Sequence, residues 1–185
     1  MSFDVRQEST RMLRAAWQVP VAVGLCALAF TVVGIRPELI GFLYVAVVTG
    51  ELCRTDITSH RLPNALTLPG YGITATGVVF GWLRTGDPPV GALIAGGATF
   101  GFLLILGLGG GMGMGDVKLG GLLGLNLGTI GAVAAIAGPV IGFVAGGIAG
   151  LIALALPTTD GLRRIPFGPY LLLGFWSAAA SVLIV

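Results

Sequence analysis

The stretch GMGMGDVK at residues 111–118 places one carboxylate and one amine directly after a run of glycines. On either side the chain lacks Asp, Glu, Lys and Arg altogether, over residues 88–115 and again over residues 119–159. An α-helix needs about 20 apolar residues to cross a bilayer, so both tracts are long enough to do so. A carboxylate at the edge of such tracts is costly to maintain, which makes Asp116 a candidate functional residue as well as a possible helix cap.

The composition of the whole chain indicates an integral membrane protein with an all-α fold. Of its 185 residues, 55% are hydrophobic and only 10% are charged, whereas about a quarter of the residues of a soluble domain are charged. The 32 glycines include pairs four residues apart, such as Gly97 and Gly101 or Gly120 and Gly124, which predict close packing between membrane helices. The net charge of +2 comes without a basic cluster, so no nucleic-acid partner is predicted.

The apolar tracts predict a polytopic helical bundle of about seven spans, with six as the main alternative. We expect a polar segment at 1–16 and one transmembrane domain at 17–185. The uncharged tract 119–159 is too long for one span and must contain two helices and a turn. That turn is expected at residues 126–129, which makes the fifth helix short and the sixth long; the alternative is at residues 138–139. The other spans are predicted at 17–35, 39–53, 65–83, 90–109 and 167–185.

The distribution of positive charge predicts a cytoplasmic N-terminus, because cytoplasmic loops are enriched in Lys and Arg. With this orientation, only Arg36 and Arg84 lie on the opposite side of the membrane. The other eight basic residues fall on the cytoplasmic side: Arg6, Arg11, Arg14, Arg54, Arg61, Lys118, Arg163 and Arg164. Asp56 and Asp116 then lie at the same membrane face.

Two carboxylates at one membrane face predict acid–base chemistry. Asp56 follows the second predicted span and Asp116 precedes the fifth. A close pair shares one proton, so the ionised member can activate water while the protonated member polarises an amide carbonyl. The rival interpretation is a proton- or cation-coupled transporter, which also uses membrane carboxylates. A non-catalytic anchor in a pilus or secretion assembly is a third possibility, but it leaves both aspartates unexplained.

The fuller pattern resembles the prepilin peptidases, a bacterial family of membrane aspartyl proteases that carry a GxGD motif. The resemblance covers residues from about 38 to 185 and consists of three motifs in the family's order. These are Asp56 with the polar stretch ending in Pro63 and Asn64, the segment with Gly113, Gly115, Asp116 and Lys118, and Pro166, Phe167, Gly168 and Pro169 before the last span.

The resemblance implies a multi-pass protease of the bacterial cytoplasmic membrane, with Asp56 and Asp116 as its catalytic residues and the other motif residues in supporting or substrate-groove roles. The implied substrate is a pilin-like precursor of pilus biogenesis or protein secretion, cut after Gly at the cytoplasmic boundary. Many members carry an N-terminal domain with paired CxxC motifs linked to N-methylation. This chain has no CxxC, so it resembles the short form that serves Flp/Tad-type pili, and methyltransferase activity is predicted to be absent. No metal and no cofactor are predicted, and the oligomeric state is left open.

Several polar residues near the motifs have simpler interpretations. His60 is the only histidine and is expected to be a solvated loop residue. Asn64 is expected to cap the third helix, and Lys118 to bind lipid phosphate or to tune the pKa of Asp116. Glu51 and Arg54 are spaced for an ion pair within one helical turn.

Overall fold

The computed structural model describes residues 2–155 and 165–184, with side chains from residue 17 onward. Within these ranges every element of secondary structure is an α-helix, which confirms the all-α part of the predicted fold class. The helices are α1 (Ser2–Val33), α2 (Leu39–Ser59), α3 (Asn64–Thr85), α4 (Val90–Leu108), α5 (Met114–Ile130), α6 (Ala132–Ala155) and α7 (Gly168–Ser181). The side chains of Arg6, Arg11 and Arg14, and all of Arg163 and Arg164, lie outside the described residues.

Two of the helices are long and apolar enough to cross a membrane by themselves. These are α4 and α6, and a shorter apolar helix covers Trp17–Val33. Large apolar side chains such as Ile105 in α4 and Leu151 in α6 are 70% and 71% exposed. Together with the composition, these outward-facing apolar helices are those of a membrane protein.

The turn between α5 and α6 lies at Gly131, two residues beyond the predicted stretch 126–129. Gly131 has φ +139°, a backbone conformation that is essentially restricted to glycine. The alternative turn at residues 138–139 is wrong, because Pro139 lies inside α6. Membrane helices tolerate such an internal proline because neighbouring groups compensate for the lost hydrogen bond. As expected, α5 is short and α6 is long, with 17 and 24 residues.

Helices α1 and α2 pack side by side in opposite directions, and so do α4 and α5. At the start of the apolar part of α1, Gln18 Nε2 donates a hydrogen bond of 3.1 Å to Glu51 near the end of α2. A Cβ on Gly107, near the end of α4, would lie 3.4 Å from Val117 in the first turn of α5. The end of α4 therefore lies beside the start of α5, and Leu62, just after α2, also packs against the start of α5 at Gly115.

Glycines permit close packing between two pairs of helices. A Cβ on Gly124 of α5 would come within 2.7 Å of the carbonyl oxygen of Ala95 in α4, and one on Gly174 of α7 within 2.6 Å of the amide of Gly142 in α6. The packing prediction is wrong for Gly97 and Gly101, because a Cβ at either position would meet no atom within 4 Å. That side of α4 faces outward instead of a neighbouring helix.

A buried hydrogen bond also joins α5 to α3. Asn126 is 1% exposed, and its Nδ2 donates hydrogen bonds to Thr74 Oγ1 at 3.0 Å and to the carbonyl oxygen of Leu122 at 2.9 Å. Because unpaired polar groups are costly in an apolar environment, this contact defines how α3 sits on α5.

Candidate active site

Asp56 lies in the last turns of α2, which continues beyond the apolar span to Ser59. The aspartate is only 4% exposed. Its Oδ2 accepts a hydrogen bond of 2.8 Å from the backbone amide of Gly168. The sequence placed Asp56 at this end of the second span, and the structure adds that the carboxylate is held by the start of the last helix.

Gly168 can reach Asp56 because it is the first residue of α7, where backbone amides have no partner within the helix. The positive end of the helix dipole also favours a carboxylate at this position. A Cβ on Gly168 would lie 2.9 Å from Asp56 Oδ2, so a larger residue here would displace the carboxylate or the start of α7. Phe167 is the N-cap and Pro169 follows in the first turn, so the motif, predicted to precede the last span, extends into the first turn of the last helix.

Asp116 lies in the first turn of α5, for which Gly113 is the N-cap. Its Oδ1 is buried and accepts no hydrogen bond from the described residues, so this oxygen is available to a donor from elsewhere. Gly115 allows the segment after α2 to pack against α5, because a Cβ there would come within 2.9 Å of Leu62 Cβ. Of the two glycines of the GxGD motif, Gly113 therefore begins the helix that carries Asp116 and Gly115 lets Leu62 pack beside it.

Both aspartates line one cavity of about 430 Å³ at this end of the bundle. The sequence-predicted residues Gly113, Pro166 and Phe167 also line it, and Gly168 contacts Asp56 from behind. The remaining wall consists of His60, Gly110, Gly111, Met112, Gly146 and Ile165. Segments that are 60 and 50 residues apart in sequence thus converge on a single concave site with two carboxylates.

The two carboxyl groups have raised pKa values and lie outside the predicted apolar spans. Burial raises the pKa of Asp56, although the Gly168 amide and the charge of His60 partly oppose this. Burial and the negative charge of Asp56 together raise the pKa of Asp116 to about 6, while the Gly113 amide opposes the shift. The negative charge of Asp56 thus favours the protonated form of Asp116, as expected for a pair of carboxyls that shares one proton.

His60 is exposed, as expected for a solvated residue, but it also forms part of the cavity wall. It is the C-cap of α2 and has the left-handed conformation, with φ 51°. Its imidazole is therefore close enough to Asp56 for its charge to lower the pKa of that carboxyl. A spacing of four residues brings Asp56 and His60 together only if the chain between them is helical. The structure shows that α2 continues through residues 54–59.

Other motif residues lie beside the cavity and do not line it. Asn64 does not cap α3, because the N-cap is Pro63 and no side-chain cap bond forms. Instead, Lys118 Nζ donates a hydrogen bond of 3.0 Å to Asn64 Oδ1. The predicted ion pair between Arg54 and Glu51 is confirmed.

Comparison with known proteins supports the motif assignment. No curated protein and no solved structure matches the chain. The profile of the type IV leader peptidase family matches residues 39–156, which include both Asp56 and Asp116. Since this match spans more than half of the sequence, the chain belongs to the type IV leader peptidase family and is, by that membership, a peptidase.

Proposed function

We propose that the protein is an aspartic endopeptidase in which Asp56 and Asp116 activate water. The observation that carries this proposal is that both carboxyl groups line the same cavity. Their position at the end of α2 and the start of α5 favours a peptidase over a coupled transporter, whose ion site is expected near the middle of the membrane.

The arrangement supports a division of roles between the two carboxyls. Asp116, with the pKa of about 6, carries the shared proton and donates a hydrogen bond to the carbonyl oxygen of the scissile amide. Asp56, whose ionised form is stabilised by the Gly168 amide, removes a proton from water as the water oxygen attacks the carbonyl carbon. The C–N bond then breaks, and the proton held by Asp56 passes to the leaving nitrogen.

The proposed substrate is a pilin-like precursor with a short basic leader, cut after Gly ahead of an apolar helix. Two features support a cut at the membrane boundary. Asp56 and Asp116 lie beyond the apolar spans, and Gly110, Gly111 and Gly113 leave room on the cavity wall for an extended peptide. The basic leader would remain at the cytoplasmic surface, where anionic lipids attract it, and the apolar helix would stay in the bilayer.

We also propose seven spans with the N-terminus in the cytoplasm of a bacterial cell, so that the cavity opens at the cytoplasmic face. The eight-to-two distribution of basic residues supports this orientation. In this arrangement residues 1–16 form a cytoplasmic segment and residues 17–185 form one peptidase domain of the inner membrane, serving pilus biogenesis or secretion.

The proposal is tested by incubating the purified protein in detergent with a synthetic precursor and mapping the new N-terminus by mass spectrometry. We expect cleavage directly after Gly, and loss of cleavage when that Gly is replaced by Val. A precursor whose apolar helix is shortened at its far end serves as the matched control and should be cut normally. A cut several residues inside the apolar helix would contradict the boundary-site proposal.

A further inference from the structure

A second concave site lies on the outer surface of the bundle, away from the two aspartates. It is a groove of about 510 Å³ formed by α3 and α4 where they pack on α5, and it shares no lining residue with the catalytic cavity. Leu68 and Leu93, on opposite walls, are 51% and 61% exposed. Apolar side chains thus line a groove that opens outward toward the lipid.

The floor of the groove is built to be narrow and apolar. Tyr71 of α3 lies directly over Gly121 of α5, and its hydroxyl is used internally, donating a hydrogen bond of 2.7 Å to the carbonyl oxygen of Lys118. From the other side, a Cβ on Gly121 would come within 3.0 Å of Phe100 Cβ. Among the described residues that line the groove, Lys118 alone is charged.

Lys118 stands at the end of the groove nearest the catalytic face. Its Nζ donates a hydrogen bond to the neutral Asn64 side chain at 3.0 Å, and it forms no ion pair with a carboxylate of the described residues. A cation that has no counter-ion among the described residues and lies beside an apolar groove is complementary to a phosphate attached to a hydrocarbon chain.

We propose that this groove binds one anionic phospholipid, with its phosphate on Lys118 and one acyl chain running between Leu68 and Leu93 toward Leu125. The gap between α3 and α4 continues beyond that point into a cavity of about 290 Å³, which shares Leu93 and Leu125 with the groove. An apolar path therefore leads from Lys118 toward the opposite membrane face, as an acyl chain requires.

The size of the gap favours a lipid chain over a helix. A helix about 10 Å in diameter that crosses a hydrocarbon core of about 30 Å has a volume of about 2,300 Å³. The two adjoining cavities measure about 510 and 290 Å³, so they can enclose an acyl chain but not a whole helix, and a helix lying across the groove is one of the outcomes tested below.

The test is lipid binding to the delipidated full-length protein in detergent, followed by native mass spectrometry with added phosphatidylglycerol or phosphatidylcholine. We expect one phosphatidylglycerol per chain, bound about fivefold more tightly than phosphatidylcholine. Lys118→Met should weaken phosphatidylglycerol binding about fivefold, whereas Lys118→Arg should preserve it. This readout does not depend on peptidase activity, so its failure would leave the proposed function unaffected.

A matched pair of glycine variants tests the groove itself. Gly97 lines it, and a Cβ there would meet no atom within 4 Å. Gly97→Leu should therefore fold normally, fill the groove and weaken lipid binding at least about fivefold. Gly147 of α6 is equally open but lies outside the groove, and Gly147→Leu should bind as the wild type does. Unchanged binding by both Lys118→Met and Gly97→Leu would overturn the proposal, as would a dimer that Gly97→Leu dissociates.

Discussion

The backbone amide of Gly168 donates a hydrogen bond of 2.8 Å to Asp56 Oδ2, across 112 residues of sequence. The contact joins the first residue of α7 to the end of α2. It gives the motif before the last helix a direct role, because this amide orients and stabilises the ionised form of one of the two carboxyls.

Replacing Gly168 with Ala should lower peptidase activity by displacing Asp56. The added Cβ would lie 2.9 Å from Asp56 Oδ2, so the carboxylate or α7 must move. A displacement of about 1 Å can cost about 100-fold in rate, and we expect a fall in kcat/KM of about 10- to 100-fold. Gly147→Ala is the control, since a Cβ there meets no atom within 4 Å. Equal activities for the two variants would argue against a role for the Gly168 contact.

The pH profile of kcat/KM should be bell-shaped. In the proposed mechanism Asp116 is protonated, so the rate should fall as the pH rises through its pKa of about 6. Asp56 must be ionised, so the rate should also fall at low pH, below a pKa that burial raises above the ordinary value for aspartate. The measurement is kcat/KM against pH for the wild type and for Asp56→Glu on the same precursor, which checks the assignment of the low-pH limb to Asp56. A rate that keeps rising from pH 6 to pH 9 would rule out a protonated Asp116.

Asp116 should also make stability depend on pH. Its pKa is raised to about 6 in the folded protein against an ordinary value of about 3.9, so the folded state binds more protons between these values. Stability should therefore fall as the pH rises from about 4 to about 6. The variant Asp116→Asn lacks this penalty, and its Tm should exceed that of the wild type at pH 7 and equal it at pH 4. A lower Tm for Asp116→Asn at pH 7 would contradict the electrostatic account.

Much of this arrangement could be predicted from the sequence because membrane helices alternate in direction. The predicted order of spans puts Asp56 and Asp116 at one membrane face, and in the structure both line one cavity. The glycine-rich run predicts the start of α5. The turn after α5 was placed within two residues, since a tract of 41 uncharged residues must break once. These predictions use only the order of residues along the chain and need no knowledge of how the helices pack.

The remaining features depend on packing and could not be predicted. The donor to Asp56 is a backbone amide, a group that every residue except proline carries, so no residue type signals it. Asn64 is of a residue type that often caps helices, but its side chain accepts a hydrogen bond from Lys118 of α5 instead. Gly97 and Gly101 follow the same spacing as Gly120 and Gly124, yet only the second pair meets a neighbouring helix. Spacing shows which residues share a face, and tertiary structure decides whether anything packs on it.

The proposed topology predicts which membrane side each loop occupies. A cytoplasm-reactive reporter fused after residue 164 should be active, and the same reporter fused after residue 185 should be silent. The reason is the excess of basic residues in alternate loops. Activity of both fusions would mean that the number of spans is even, and the six-span alternative would replace the present one.

The most direct test of the two-aspartate site is the rate of precursor cleavage by Asp56→Asn and Asp116→Asn, measured on purified proteins that match the wild type in gel filtration. Each substitution removes one half of the acid–base pair, so each should reduce kcat by about 10²- to 10⁴-fold. Since the two carboxyls act as a unit, the double variant should be no slower than the slower single variant. Near-normal turnover by either single variant would contradict the account, because the two carboxyls that line the cavity would then not be the catalytic pair.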